Sequence, residues 1–219
     1  MAARELRVSA SIPRTPNKHG GRMAAGGWVV LALIVIVAWW AVQAYNRLRQ
    51  LHNRVENAYG QIDVQLKRRH DLIPNLVEVA RGYMVHEAAT LEAVIRARGT
   101  AQDAASTARL NPGKPAVMGA LAVAEQSLSG QMGQFRLLAE AYPQLQADAR
   151  MQQLGEELTS TENRIGFARQ AYNDQVLDYN NRAGSFPDLL LARITGFAHL
   201  DMLQATEGAH ERLVPQVRF

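Results

Sequence analysis

Side chains that could build a metal or catalytic site are sparse in this sequence. His86 and Glu87 begin like the His-Glu-x-x-His motif of zinc proteases, but position 90 is Thr, so the second histidine ligand is missing. Glu207 and His210 have the Glu-x-x-His spacing of di-iron helical bundles, which require two such pairs and two further glutamates. This chain has a single pair of that kind. The sequence therefore predicts no enzyme activity, no metal site and no cofactor.

Composition excludes further classes of protein. The chain has no cysteine, which excludes disulfide frameworks, thiol nucleophiles and Cys-ligated metal clusters. The formal net charge is +4, and the whole excess lies in residues 1–22, where five basic side chains accompany one acidic side chain. A nucleic-acid-binding domain needs a basic surface on its folded part. Because the rest of this chain is balanced in charge, we expect no nucleic-acid partner.

The basic segment is followed by an uncharged apolar stretch at residues 23–42. As a helix, this stretch rises roughly 30 Å, the thickness of a bilayer's hydrocarbon core, and tryptophans stand near both of its ends. A cleaved signal peptide is the alternative, but tryptophans so close to the weak cleavage site at Ala44 are atypical. We predict an uncleaved single-pass anchor. Five basic residues precede it and three follow closely, which predicts a cytoplasmic N-terminus and an external remainder.

Beyond the apolar stretch, apolar residues recur with helical spacing in four runs. The first run continues the span to about residue 69, and Asp71 and Pro74 predict a restart, with Asp71 as the N-cap. The second run ends at the turn 111–115. The fourth ends at Gly184, a candidate left-handed cap, and a brief helix is predicted at 188–195.

These runs predict an all-α protein in which a transmembrane helix leads into an antiparallel, up-down bundle of four long helices, because short loops force neighbours to alternate in direction. The predicted organisation is a basic tail at 1–22, the span at 23–42, the bundle at 43–198 and a C-terminal tail at 199–219. Segment 43–70 is mainly basic and segment 144–185 mainly acidic, so the first helix is predicted to dock on the fourth. Ile165, in the middle of the fourth apolar seam, is predicted to be almost fully buried.

Two stretches of the sequence resemble the LemA family. One contains QIDVQLKRRHDLIPNL, within Asn53 to Arg98, and the other contains TENRI followed by two Tyr-Asn pairs, within Thr161 to Leu190. The resemblance covers about residues 43–198 and departs from the family pattern after Phe197. It implies a bacterial membrane protein with one N-terminal span, a helical bundle outside the bilayer, and a role that depends on partners.

Polar residues on the first and fourth helices match this family's pattern. Solvated helix faces account for most of them, whereas polar residues beside an apolar seam fix register and partner choice. We predict that partner binding involves Arg68, Arg69, Glu162, Asn163, Arg164, Arg169, Asn173 and Asn180.

Two functions remain open from the sequence. The first is a membrane-anchored scaffold or assembly protein that binds the lipid bilayer, further copies of itself and another membrane protein. Small residues at 24–27 allow close helix approach and favour self-association. The second is a bundle with a metal- or ligand-binding site at its polar helix positions. The absence of a dense His and Glu pattern in the helices favours the first function.

Overall fold

The computed structural model describes residues 20–203, with side chains from residue 27 onward, and it is helical. No strand is present within that range, which confirms the predicted all-α class with a long apolar helix at the N-terminus. The chain divides into two compact units, Met1–Gln43 and Ala44–Phe219. The helices are α1 (Gly20–Arg81), α2 (Ala88–Leu110), α3 (Pro115–Ala139), α4 (Pro143–Gln146), α5 (Ala149–Gly184) and α6 (Asp188–Thr195).

The described part of the first unit is an apolar helix whose large side chains are exposed. Trp28 is 71% exposed, Ile36 60% and Trp39 66%. By length and composition this helix could cross a membrane, with a mean hydropathy of 2.1 over its most apolar eighteen residues. Consecutive exposed apolar side chains are stable in lipid and unfavourable in water. The helix is therefore a candidate membrane anchor; its orientation and its retention in the mature protein stay predictions.

The predicted break in the first long helix is wrong. The chain remains helical through Asp71 and Pro74, and α1 ends only at Arg81. Residues 82–87 then form turns, and α2 begins at Ala88. The segment after Asp71 that was assigned to the second helix is thus the last part of the first.

Contacts around Pro74 explain why the helix continues. Proline has no N–H to donate to the carbonyl four residues earlier, which belongs to His70. In the structure, the guanidinium Nε of Arg98, on α2, donates to that carbonyl. On both sides of the proline, Ile73 and Val77 are buried in the core, and this burial favours the helical path. A contact from another helix therefore replaces the missing backbone hydrogen bond.

The second unit is held together by two buried clusters, each with side chains from α1, α2, α3 and α5. In the first cluster the rings of Tyr59 on α1 and Tyr172 on α5 lie 6.0 Å apart. The same pair of helices is bridged between Arg68 and Glu157 at 3.6 Å. From Tyr59 to Arg68 the residue numbers on α1 increase, while those of their partners on α5 decrease from 172 to 157. The two helices therefore run antiparallel. The fourth helix predicted from the sequence is α5, so the predicted docking of the first helix on it is confirmed.

Side-chain hydrogen bonds stabilise both ends of α5, and its C-terminal end contradicts a prediction. Asp148 caps its start by accepting hydrogen bonds from the backbone N–H groups of Arg150 and Met151 at 2.8 and 3.1 Å, and these bonds help to lower the pKa of the Asp148 carboxyl. Gly184 was predicted to adopt a left-handed conformation, but it is the last helical residue and has no positive φ. Ser185 removes the need for such a cap, because its hydroxyl and its N–H both bond to carbonyls of the last turn.

Candidate functional site

A buried arginine on α1 joins three helices at the centre of the candidate site. The Arg69 side chain is only 5% exposed. Its guanidinium donates to Glu125 of α3 at 3.0 Å, to the hydroxyl of Ser129 at 2.9 Å and to Glu162 of α5 at 3.1 Å. The planar guanidinium suits such a junction, because its donors point in fixed and different directions. Arg69 therefore fixes the spacing of α1, α3 and α5 at this level.

The two glutamates of this network each contact a second basic side chain. The other carboxylate oxygen of Glu125 lies 2.8 Å from Nε2 of His70, and that of Glu162 lies 3.5 Å from Arg136 of α3. The Glu125 side chain is only 7% exposed, and a buried carboxylate is tolerated when it is paired in this way. Within residues 27–203, no group of three or more His, Asp or Glu side chains is placed to hold a metal ion. The network is therefore arranged as an ionic junction between helices.

This junction forms the floor of an open groove with a volume of about 490 Å³. The α3–α5 groove is lined by Leu66, Arg69, Ala122, Glu125, Ser129, Glu162, Asn163, Ile165, Gly166, Phe167, Arg169, Gln170 and Leu203. Its rim carries Phe167, which is 74% exposed, and Arg169, which is half-buried. The mixture of an exposed aromatic ring, an arginine and an apolar wall is typical of a protein-binding surface.

Beside the groove, α5 holds an extended segment of the chain, residues 198–203, through two asparagines. Asn173 donates to the carbonyl of Leu203 at 3.1 Å and accepts from its N–H at 2.9 Å. Asn180 makes the same two bonds with Leu200, at 2.8 and 3.0 Å. The leucine side chains are 7% exposed at 200 and 6% at 203. Residues 199–203, assigned to the tail from the sequence, therefore pack as part of the bundle.

Two tyrosines complete this ladder of side-chain bonds to the backbone. The hydroxyl of Tyr172 donates to the carbonyl of Asp201, and that of Tyr179 donates to the carbonyl of Ala198, each at 2.9 Å. Burial raises the pKa of both phenols, so they remain protonated donors. The spacing also fits, because seven helical residues rise about 10.5 Å and three extended residues span about 10 Å. The repeated Tyr-Asn pair is therefore a device that binds extended backbone.

The structure separates the eight residues that were predicted to bind a partner. Four of them line the α3–α5 groove, namely Arg69, Glu162, Asn163 and Arg169. Arg68 is half-exposed and pairs with Glu157, whereas Arg164 is exposed outside the groove lining. The amide of Asn173 bonds to Leu203 of the same chain, and that of Asn180 bonds to Leu200.

Sequence reasoning missed some of the residues that shape the site. Glu125 was not singled out, although an acidic residue on the apolar seam between Leu121 and Leu128 is a signal for a buried ion pair. The exposed aromatic rim at Phe167 was also missed. Ile165 was predicted to be almost fully buried, and this is wrong: it is half-buried because it forms one wall of the groove.

Comparison with known proteins identifies the family of this chain. No curated protein is a significant match to the chain. The model of the LemA family matches residues 58–219, a range that contains the Arg69 junction, the whole groove and the Tyr-Asn ladder. The match extends beyond Phe197, where the sequence analysis placed the end of the resemblance, so the C-terminal residues also fall within the family pattern. The chain belongs to the LemA family.

Proposed function

We propose that this protein is a membrane-anchored helical bundle that binds a protein partner in the α3–α5 groove and acts in scaffolding or assembly, without catalysis. The observation that carries the proposal is the groove itself. Its floor is a fixed ionic junction at Arg69, and its rim exposes Phe167. A rigid floor with an exposed aromatic rim suits recognition of a protein surface, since aromatic and arginine side chains supply most of the binding energy at such interfaces.

The chemistry of the groove favours a partner over a substrate. The carboxylates at its floor are engaged by Arg69, His70 and Arg136, so they are poorly suited to abstract a proton or to ligate a metal. The groove is also only about half enclosed, whereas small-molecule sites enclose most of their ligand. A stoichiometric transition metal in the purified protein would overturn this part of the proposal.

The anchor sets where the partner must be found. The N-terminal apolar helix supports a place in a membrane, and the family resemblance supports a bacterial cell membrane. The five basic residues before the span, against three closely after it, support a cytoplasmic N-terminus with an up-down bundle of the four long helices outside. Small residues at 24–27 support self-association in the bilayer. The expected partners are therefore the lipid bilayer, a second copy of the chain and another membrane protein.

Site-specific photo-cross-linking in native membranes tests the proposal. A photoreactive amino acid replaces Phe167 in the full-length protein, and a matched variant carries it at Val64. Val64 is 60% exposed on α1 and is not part of the groove lining. We expect an adduct of defined mass at position 167 and none at position 64, and we expect Arg169→Glu to weaken it. The same adducts at both positions, or none at 167, would refute binding in the groove.

A further inference from the structure

The short helix α6 has an exposed apolar side, and Phe186, two residues before the helix begins, is also exposed. Phe186 is 81% exposed, Leu190 53% and Ile194 83%. Leu190 and Ile194 are four residues apart, so their side chains lie on one side of the helix. On the other side, Asp188 and Ala192 are buried against the bundle. Large apolar side chains grouped on one exposed face mark an interaction surface.

This face lies close to the point at which the chain leaves the apolar stretch. After α6, Gly196 adopts a left-handed conformation and turns the chain to Phe197, whose ring centroid is 5.6 Å from that of Tyr45. Tyr45 is the third residue after Val42, about 4.5 Å further along a helix. Ile194 is three residues before Phe197, and at 3.8 Å per residue it lies at most about 11 Å away.

Arginines surround the same part of the molecule. Arg47 and Arg49 are exposed on α1, and Arg193 is exposed beside Ile194 on α6. The acidic residue of α6, Asp188, is buried and paired with Arg182, so it does not oppose an anionic surface. An arginine next to apolar side chains can keep its methylene groups in an apolar layer while its guanidinium reaches the phosphates of lipids.

We propose that α6, together with Phe186, lies in the headgroup region of the bilayer that holds the apolar part of α1. An apolar face with adjacent arginines is the composition of helices that lie in a membrane interface. The occupant is lipid because the span ends a few residues from Tyr45, which contacts the segment next to α6. The inference rests on the proposed membrane anchor, to which it adds a second, interfacial contact.

Spin labels on single cysteines test this inference, since the chain has no native cysteine. The full-length protein is labelled at Ile194→Cys, Ile36→Cys or Leu137→Cys and reconstituted in vesicles of phosphatidylcholine and phosphatidylglycerol. Each label is exposed, so folding is preserved, and circular dichroism checks this. Leu137 is the aqueous control, and it is 70% exposed near the end of α3. Just after that end, Tyr142 contacts Glu87, which follows the end of α1 that is opposite to its apolar stretch. Collision with oxygen reports lipid, and collision with a water-soluble nickel complex reports water.

We expect the ratio of oxygen to nickel collisions at Ile194 to be several-fold higher than at Leu137 and to approach the ratio at Ile36. A lipid value at Ile36 with an aqueous value at Ile194 would overturn the inference and leave the membrane anchor intact. An aqueous value at Ile36 would overturn the anchor itself. A label at Ile194 shielded from both reagents would show a protein contact on this face and would also refute the inference.

Discussion

The hydrogen bonds by which α5 binds residues 198–203 predict that Asn173→Ala frees this segment. The Asn173 side chain makes two hydrogen bonds to the backbone of Leu203, and alanine removes both. The segment lies at the edge of the bundle, so it can detach while α1, α2, α3 and α5 stay packed. We therefore expect local opening of the segment without loss of the helical fold.

The size of the effect follows from the number of bonds. A hydrogen bond contributes a net stability of about 1 kcal/mol, so the loss of two lowers the free energy of opening by about 2 kcal/mol. Since about 1.4 kcal/mol corresponds to a factor of ten, the open population should rise roughly thirty-fold. A reporter outside the altered pair is the N–H of Asp201, which bonds to the carbonyl of Gly113 at 2.9 Å.

Hydrogen exchange on the full-length protein in detergent measures this opening. The Asp201 amide should exchange roughly thirty-fold faster in Asn173→Ala than in the unaltered chain, because exchange follows the open population. The control is Asp174→Ala, which removes an exposed neighbour and should leave exchange unchanged. If the Asp201 amide exchanges at the same rate in Asn173→Ala, the segment is held by other contacts and the role assigned to the ladder is wrong.

Three further predictions concern the core and can be read from urea unfolding followed by circular dichroism. Arg69→Met should destabilise the bundle by about 3–5 kcal/mol, because it leaves the buried carboxylate of Glu125 without its guanidinium partner; an unchanged midpoint would contradict the junction. Arg98→Ala should lower the free energy of unfolding by about 1–3 kcal/mol, and by less in a Pro74→Ala background, where the backbone N–H of residue 74 can bond to the His70 carbonyl. Equal losses in both backgrounds would show that Arg98 does not replace the missing backbone bond. Val176→Asp, at a fully buried site, should unfold the bundle, whereas Ile165→Asp on the groove wall should remain folded.

Local sequence patterns predicted the elements that depend on local signals. The end of α5 at Gly184 and the bounds of the brief helix at 188–195 are as predicted from the sequence. The break at Pro74 was wrong because the bond that replaces its missing donor comes from Arg98, 24 residues later in the chain. Propensity describes a residue and its neighbours in sequence, and a contact from another helix overrides it.

The candidate site was predicted only in part, for a similar reason. Polar positions beside a helical seam can be read from the sequence, and four of the eight predicted residues do line one groove. The sequence does not state what each polar side chain contacts. Asn173 binds a residue 30 positions later, in a stretch with weak apolar periodicity. The seven-residue repeat of the Tyr-Asn pair was a visible signal, but its meaning depends on the extended segment that lies against it.

The groove and the ladder share one residue, and this predicts a link between them. Leu203 is held by Asn173 and also lines the groove, whereas Leu200, held by Asn180, does not. If a partner contacts Leu203, detachment of the segment removes part of the binding surface, and by reciprocity the bound partner must stabilise the attached segment. Asn173→Ala should therefore weaken cross-linking at position 167 in proportion to the open population measured by exchange. Unchanged cross-linking in a variant whose exchange shows a large open fraction would show that the partner binds without Leu203.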